Sequence, residues 1–229
     1  MIKEIVQFLR NAPELRRLQR QHTRAEFVDV QNAKVDAQGF SEVRRELVGD
    51  LSGRVLEIGC GTGTMFQYYS DGVELDAIEP EQDFLAIAAA KVAKATVRVR
   101  AVAGDGTSLT FPDGMFDVVV LGLVLCSVPS VERVLAEAFR VLRSGGRLRA
   151  LEHVRSQSLI AGRLMDATNP LWLRLNRQGC NWNRQPLPQI KAAGFRVDDV
   201  RAFQRFDTLY PAFPMQRIRA HKPHLREDG

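Results

Sequence analysis

Apolar positions along this chain follow two alternating rhythms. Short, nearly unbroken apolar runs read as strands over 54–59, 73–79, 97–103, 116–121 and 146–152, with two more near 195–203 and 215–221. Between them, apolar residues recur every three to four positions, which predicts helices over 64–70, 81–94, 131–142 and 186–193. A run such as Val118-Val119-Val120-Leu121 has no polar alternation, as expected of a strand covered on both faces. Strands alternating with helices in this way predict an α/β fold, a parallel, doubly wound sheet with helices on both faces.

Two stretches depart from the rhythm. Residues 1–50 hold no strand pattern. Ile2, Ile5, Val6, Leu9, Leu15 and Leu18 make one amphipathic helix or a pair broken at Pro13, and Thr23 to Leu51 reads as a second helical stretch. This front segment is read as a helical extension or lid on a body spanning 51–229. The second departure is an insertion over 154–187, holding Trp172, Trp182, Pro170 and the polar run Gln178 to Arg184. It is too long for a plain connection, and it leaves the carboxyl end of a strand, where ligands bind in such folds. It is read as the cover of an acceptor pocket.

Composition and charge narrow the class. The longest apolar runs, such as Val118 to Val128, are too short to span a membrane, and the first residues lack a signal-peptide layout, so a cytoplasmic location is expected. Cys60, Cys126 and Cys180 lie far apart with no C-x-x-C spacing, which predicts free thiols, no disulfide frame and no metal site. The net charge of +5 is uneven: residues 143–229 carry 16 Lys/Arg against 7 Asp/Glu, and the first 142 carry 16 against 20. The arginines, among them Arg163, Arg174, Arg177 and Arg184, are dispersed without stacking aromatics. A solvated surface is expected rather than a nucleic-acid interface. Peripheral membrane contact by residues 1–20 is not expected either, since Glu4 and Glu14 dilute the basic face, and the oligomeric state stays open.

The most informative stretch is Val55-Leu56-Glu57-Ile58-Gly59-Cys60-Gly61-Thr62-Gly63-Thr64. A strand runs into glycines at alternate positions, and the following helix is expected to aim its free N–H groups at a ligand. Glu79 closes the next strand twenty-two residues after Glu57. That is about the offset at which a carboxylate meets a ribose diol, so an adenosine-bearing cofactor is expected. The spacing Glu-x-Gly-x-Gly-x-Gly resembles motif I of the class I S-adenosylmethionine-dependent methyltransferases. The resemblance implies a Rossmann-like, seven-stranded sheet with its last strand antiparallel, S-adenosylmethionine as cofactor and S-adenosylhomocysteine as product. It implies that Glu57 holds the methionine end, with Gly59, Cys60, Gly61 and Gly63 beneath it, and that Glu79, beside Pro80, takes the ribose hydroxyls. Asp105, with Gly106, accepts from the adenine amino group or merely makes an Asp-Gly turn, and Leu123 passes the sulfonium.

The acceptor set is read from the residues themselves. His153, at the end of the fifth strand, is the candidate catalytic base or else only bonds a loop. Trp172 and Trp182 line an apolar pocket, box a cation or simply pack. Arg184 draws an anionic acceptor or ties the loop to Glu152, and Cys126 borders the pocket. The series Leu123-Val124-Leu125-Cys126-Ser127-Val128, Glu152-His153-Val154, Pro170-Leu171-Trp172 and Gly179-Cys180 with Arg184 resembles the alkyl-thiol methyltransferases of the animal endoplasmic reticulum and their bacterial relatives. Those animal enzymes begin with a long hydrophobic anchor, whereas this chain begins amphipathic and charged. The resemblance implies methyl transfer to a small molecule, a thiol first, with nitrogen and oxygen acceptors open. The alternatives are a phospholipid headgroup N-methyltransferase and a non-catalytic cofactor-binding partner protein.

Overall fold

The computed structural model describes residues 2–176, 179–205 and 213–224, and no side chain of residues 2–9 or of Arg205. The apolar positions Ile2, Ile5, Val6 and Leu9 read into the amphipathic front, and Arg177, therefore lie outside the described side chains. Its elements run α1 (Ile2–Gln21), α2 (Arg24–Val35), α3 (Ser41–Val48), β1 (Gly53–Ile58), β2 (Val73–Glu79), α4 (Gln82–Val92), β3 (Arg98–Ala103) and β4 (Phe116–Gly122). Then follow α5 (Val131–Val141), β5 (Leu142–His153), α6 (Leu159–Leu175), α7 (Pro186–Ala192), β6 (Arg196–Arg205) and β7 (Phe213–His221). The strands form one seven-stranded sheet in the order β3-β2-β1-β4-β5-β7-β6. β7 runs antiparallel to both its neighbours, and the pairs among β1 to β5 are parallel.

The two-sided burial inferred from β4 is borne out. Val119 and Leu121 pack on one face with α5 and Ile190 of α7, while Val118 and Val120 pack on the other with Leu47 and Val48 of α3. α5 folds as its pattern dictates: Val131, Val134, Leu135, Ala138 and Val141 are buried, and the Ser130 hydroxyl caps it by accepting the Arg133 N–H. α2 opens on a reciprocal Thr23–Glu26 capping box. Gly39, at φ 97, divides the expected 23–51 stretch, whereas α1 runs on as one helix through Pro13.

Two expectations fail. The helix over 64–70 is only a single 3-10 turn at Phe66–Tyr68. Gly59, Gly61 and Gly63 all sit at positive φ (69, 57 and 70°), so the chain leaves the turn with its backbone still left-handed and cannot enter an α-helix at Thr64. The insertion, for which no element was expected, carries the seventeen-residue α6.

The basic surplus of the C-terminal half is organised. Arg149 pairs in register with Arg219, and Arg217 with Arg201, which sets four arginines side by side on β5, β7 and β6. Glu46 of α3 receives Arg201 and Arg217, and Asp50 receives Arg149 at 3.0 Å. Much of this charge is thus spent on pinning α3 to the sheet. Among the described residues no helix is long and apolar enough to cross a membrane.

Candidate functional site

A cavity of about 350 Å³ opens at the carboxyl ends of β1 to β5. Its floor is the turn after β1. Gly59 N–H and Cys60 N–H both bond the Ile78 carbonyl at 2.8 and 3.0 Å, which curls the turn over the end of β2. A Cβ on Gly61 would meet nothing closer than a Phe84 ring atom at 4.0 Å, so the turn has open space above it there. Gly63 has the opposite reason to be glycine: a Cβ would lie 2.6 Å from the Phe66 ring. Gly63 is not among the cavity-lining residues, whereas Gly59, Cys60 and Gly61 are.

Four acids line the cavity, and three of them, Glu57, Glu79 and Asp105, are the ones expected there. Glu57 is buried beneath it and accepts the Tyr69 hydroxyl at 2.9 Å. Burial pushes its carboxyl up to about 8, with the Tyr69 hydrogen bond and the charge of Arg44 pulling the other way. Glu79 closes β2 with Oε2 on the Gly61 N–H at 2.9 Å and Oε1 on the Glu81 N–H at 3.1 Å. Burial raises it too, against those two hydrogen bonds. Each oxygen retains a second lone pair for a ligand donor. Asp105 is exposed, and its Oδ1 accepts the Thr107 N–H at 2.8 Å, the Asp-Gly turn foreseen as one of its two roles. Pro80 and Gly106 line the wall beside these acids.

The loop after β4 forms the next wall. Leu123 adopts φ 64°, the one positive φ outside glycine among the described residues. Such a conformation costs of order 1–3 kcal/mol and persists only where its surroundings dictate it. Glu152, wholly buried in β5, supplies that constraint: Oε1 accepts the N–H groups of Val124 and Leu125 at 2.9 and 2.8 Å, and Oε2 that of Cys126 at 3.1 Å. Arg184 holds the same loop by its other polarity, donating Nη1 to the Leu125 carbonyl. The tie to Glu152 expected of Arg184 is thus made through the loop both of them hold. Arg184 is not among the residues lining the cavity.

Nor are the tryptophans. Trp172 and Trp182 stack at 4.7 Å with planes 2° apart, in a cluster with Leu15, Leu18, Phe27 and Phe213. Their ring N–H groups bond the carbonyls of Cys180 and Met165 at 2.9 Å each. They pack α6 against α1 and α2 and present Cys180, which does line the cavity, together with Gly179.

All three cysteines are free, as expected, and at this end two of them meet a histidine. His153 Nδ1 lies 3.1 Å from the Cys180 sulfur, and Cys126 joins them, the three ligand atoms lying within 4.8 Å of one another. Hydrogen bonding with Cys180, then burial, raise the Cys126 thiol well above its usual range, against His153. His153 Nε2 is buried without a hydrogen-bond partner, and the ring packs edge-on against Phe213 with centroids 5.3 Å apart. These residues are 27 and 54 positions apart, so no local spacing could have revealed the group.

The roof was also missed. Arg24, Val28, Gln31 and Asn32 on one face of α2 line the cavity, as does Arg44, whose buried guanidinium bonds Asp36 at 2.8 Å and Asn32 at 2.9 Å. The spacing i, i+4, i+7, i+8 from Arg24 was the available signal, since it puts polar side chains on the inward face of a capped helix.

A family model described as a methyltransferase domain matches residues 56–150. Thiol S-methyltransferase TMT1A of Homo sapiens is 34% identical over 165 residues, 66% of this chain and 67% of that protein. Phosphatidylethanolamine N-methyltransferase of Cereibacter sphaeroides is 37% identical over 110 residues, 46% of this chain and 53% of that protein. A crystal structure of a methyltransferase-like protein from Bacillus halodurans superposes with a TM-score of 0.67, covering 80% of this chain and 98% of that one at 17% identity, which speaks for the fold. Sheet order, glycine turn and sequence kinship over two thirds of a human relative agree, and the chain is a member of the class I S-adenosylmethionine-dependent methyltransferases.

Proposed function

We propose that this enzyme transfers a methyl group from S-adenosylmethionine to a small thiol, and that the cavity holds donor and acceptor end to end. The residues fit the cofactor. Gly61 leaves space where a side chain would otherwise stand, Glu79 keeps lone pairs for a diol, and Glu57 faces the same cavity as a buried acid suited to an ammonium. In this reading Gly59, Cys60, Gly61 and Gly63 shape the floor, Pro80 and Gly106 flank the adenosine, Asp105 receives the adenine amino group and Leu123 lies beside the sulfonium. Residues 1–50 act as the lid through α2, and the 154–187 insertion supplies the far wall. When bound, the cofactor supplies an electrophilic methyl carbon carried on a positively charged sulfur.

The observation that carries the thiol reading is the Cys126–His153–Cys180 group at the far end of the cavity. It is small, buried and soft, and it offers His153 Nε2 to an incoming proton. His153 takes the acceptor's S–H proton, while the walls exclude water and align the sulfur, which is most of what an in-line displacement requires. The thiol methyltransferases among the relatives support the same acceptor. A second reading, N-methylation of a lipid headgroup, is favoured by the bacterial phosphatidylethanolamine relative and by exposed Leu159, Ile160, Leu164 and Leu171 on α6.

Screening small thiols, amines, phenols and lipid vesicles for cofactor-dependent S-adenosylhomocysteine release tests this. Turnover with thiols and none with ethanolamine-lipid vesicles is expected; the reverse would sink the thiol reading. Glu79→Gln should weaken S-adenosylmethionine binding by about 10-fold, the worth of one charge-assisted hydrogen bond. Calorimetric titration measures it, and unchanged affinity would remove Glu79 from the ribose site.

A further inference from the structure

We infer that Cys126, His153 and Cys180 form a three-ligand site for a single zinc ion, its fourth position open to the cavity and able to take the acceptor sulfur. Two thiolates and one imidazole nitrogen are a ligand set that zinc accepts, and three protein ligands with one open position is the arrangement of catalytic rather than structural zinc. All three side chains are at least nine-tenths buried, and all three line the cavity.

The geometry is close to what the ion requires. Zinc–sulfur and zinc–nitrogen bonds of about 2.3 and 2.0 Å put tetrahedral ligand atoms roughly 3.5–3.8 Å apart. His153 Nδ1 and the Cys180 sulfur are 3.1 Å apart, and no two of the three atoms exceed 4.8 Å. The backbone around the site is already fixed. Asn181 N–H bonds the Cys126 carbonyl at 2.8 Å and Cys180 N–H bonds Asn176 Oδ1 at 3.1 Å. Glu152 holds the Cys126 N–H, as described above.

Charge makes the same case. Both thiols are buried beside a histidine and away from water. On zinc uptake both lose their protons to solvent, and the dication with two thiolates and a neutral imidazole is electrically neutral, which a buried site tolerates. An acceptor thiol that enters the open position forms a sulfur–zinc bond as its S–H bond breaks, and that proton also leaves to solvent. The single negative charge this adds lies in the same cavity as the positive sulfonium. With zinc bound His153 serves as a ligand, and the proton-taking role given to it above belongs to the metal-free site. This second half rests on the thiol reading above, whereas zinc binding itself does not.

Cobalt(II) loading of the full-length, metal-stripped protein tests both halves. One cobalt per chain is expected, with thiolate-to-cobalt charge-transfer absorption in the near ultraviolet and tetrahedral bands in the visible. Zinc should displace it. Cys126→Ser and Cys180→Ser should each weaken uptake by more than the roughly 10–100-fold that follows loss of a supporting hydrogen bond. Circular dichroism and retained S-adenosylmethionine binding would show that these variants fold. No uptake by the wild-type chain, or the same spectrum in the double variant, would overturn the site. In the wild-type chain a small thiol should shift the visible bands and an alcohol of the same size should not. A loaded site with no thiol shift overturns acceptor coordination alone. A thiol shift without methyl transfer instead refutes the proposed function and leaves the metal site standing.

Discussion

Glu152→Ala is expected to cost the fold on the order of 3–5 kcal/mol, the largest loss of any single polar substitution around the cavity. The side chain touches no solvent, and its two oxygens accept three consecutive backbone N–H groups, those of Val124, Leu125 and Cys126. Alanine leaves these donors buried and unpaired, at about 1–3 kcal/mol each, and opens a void in β5 besides. Glu152→Gln keeps one carbonyl oxygen for two of the donors and turns an amide N–H₂ toward the third or swings it away, so roughly 1–2 kcal/mol is expected. Urea denaturation of the three proteins gives the order wild type, Gln, Ala. Similar midpoints for Gln and Ala would mean that the carboxylate contributes charge or volume rather than the three acceptances. Because the same loop carries the strained Leu123 and presents Cys126, the alanine variant should also lose methyl transfer under conditions where it remains folded.

That carboxylate also marks where the sequence was legible and where it was not. The centre of the sheet could be read because an apolar run is a local signal: Val118 to Leu121 declares two covered faces without reference to any distant residue. Glu57 and Asp105 were singled out by the family resemblance and Glu79 by its offset from Glu57, and all three line the cavity at the ends of parallel strands. The helix expected at Thr64 failed because the glycines that marked the turn also keep its backbone left-handed through Gly63. The acceptor end was harder for a different reason. Trp172 and Trp182 stack on each other and Arg184 reaches a carbonyl, relations that depend on how α6 folds back across α1 and α2. The meeting of Cys126, His153 and Cys180 depends on it as well, so residue type drew attention to the right segment while tertiary packing chose which side chains face the cavity.

Affinity for S-adenosylmethionine is expected to rise with pH up to about 8 in the wild-type enzyme, and this dependence should be largely absent from Glu57→Gln. Burial holds the Glu57 carboxyl near 8 in the cofactor-free protein, so at pH 6 it is almost entirely protonated. A neutral acid offers a cationic methionine end no charge to pair with. In the proposed site Glu57 must therefore release its proton as the cofactor binds, and linkage makes apparent affinity climb by up to about 10-fold per pH unit below that value. The cofactor's own amino group titrates identically against both proteins, so the difference between them isolates Glu57. The same shift acts on stability with a definite sign. The folded state holds this proton more tightly than the unfolded chain, so the contribution is full below the unfolded value near 4.5 and is lost as pH rises through about 8. Without cofactor, Glu57→Gln should accordingly gain relative to wild type as pH is raised from 5 to 9. With cofactor at high pH it should lose, because the ionised acid is then paired. Titration calorimetry and thermal melts at pH 6, 7 and 8 read both effects. Parallel affinity profiles for the two proteins would show that Glu57 carries no charge to the cofactor and serves only to anchor Tyr69 beneath the turn.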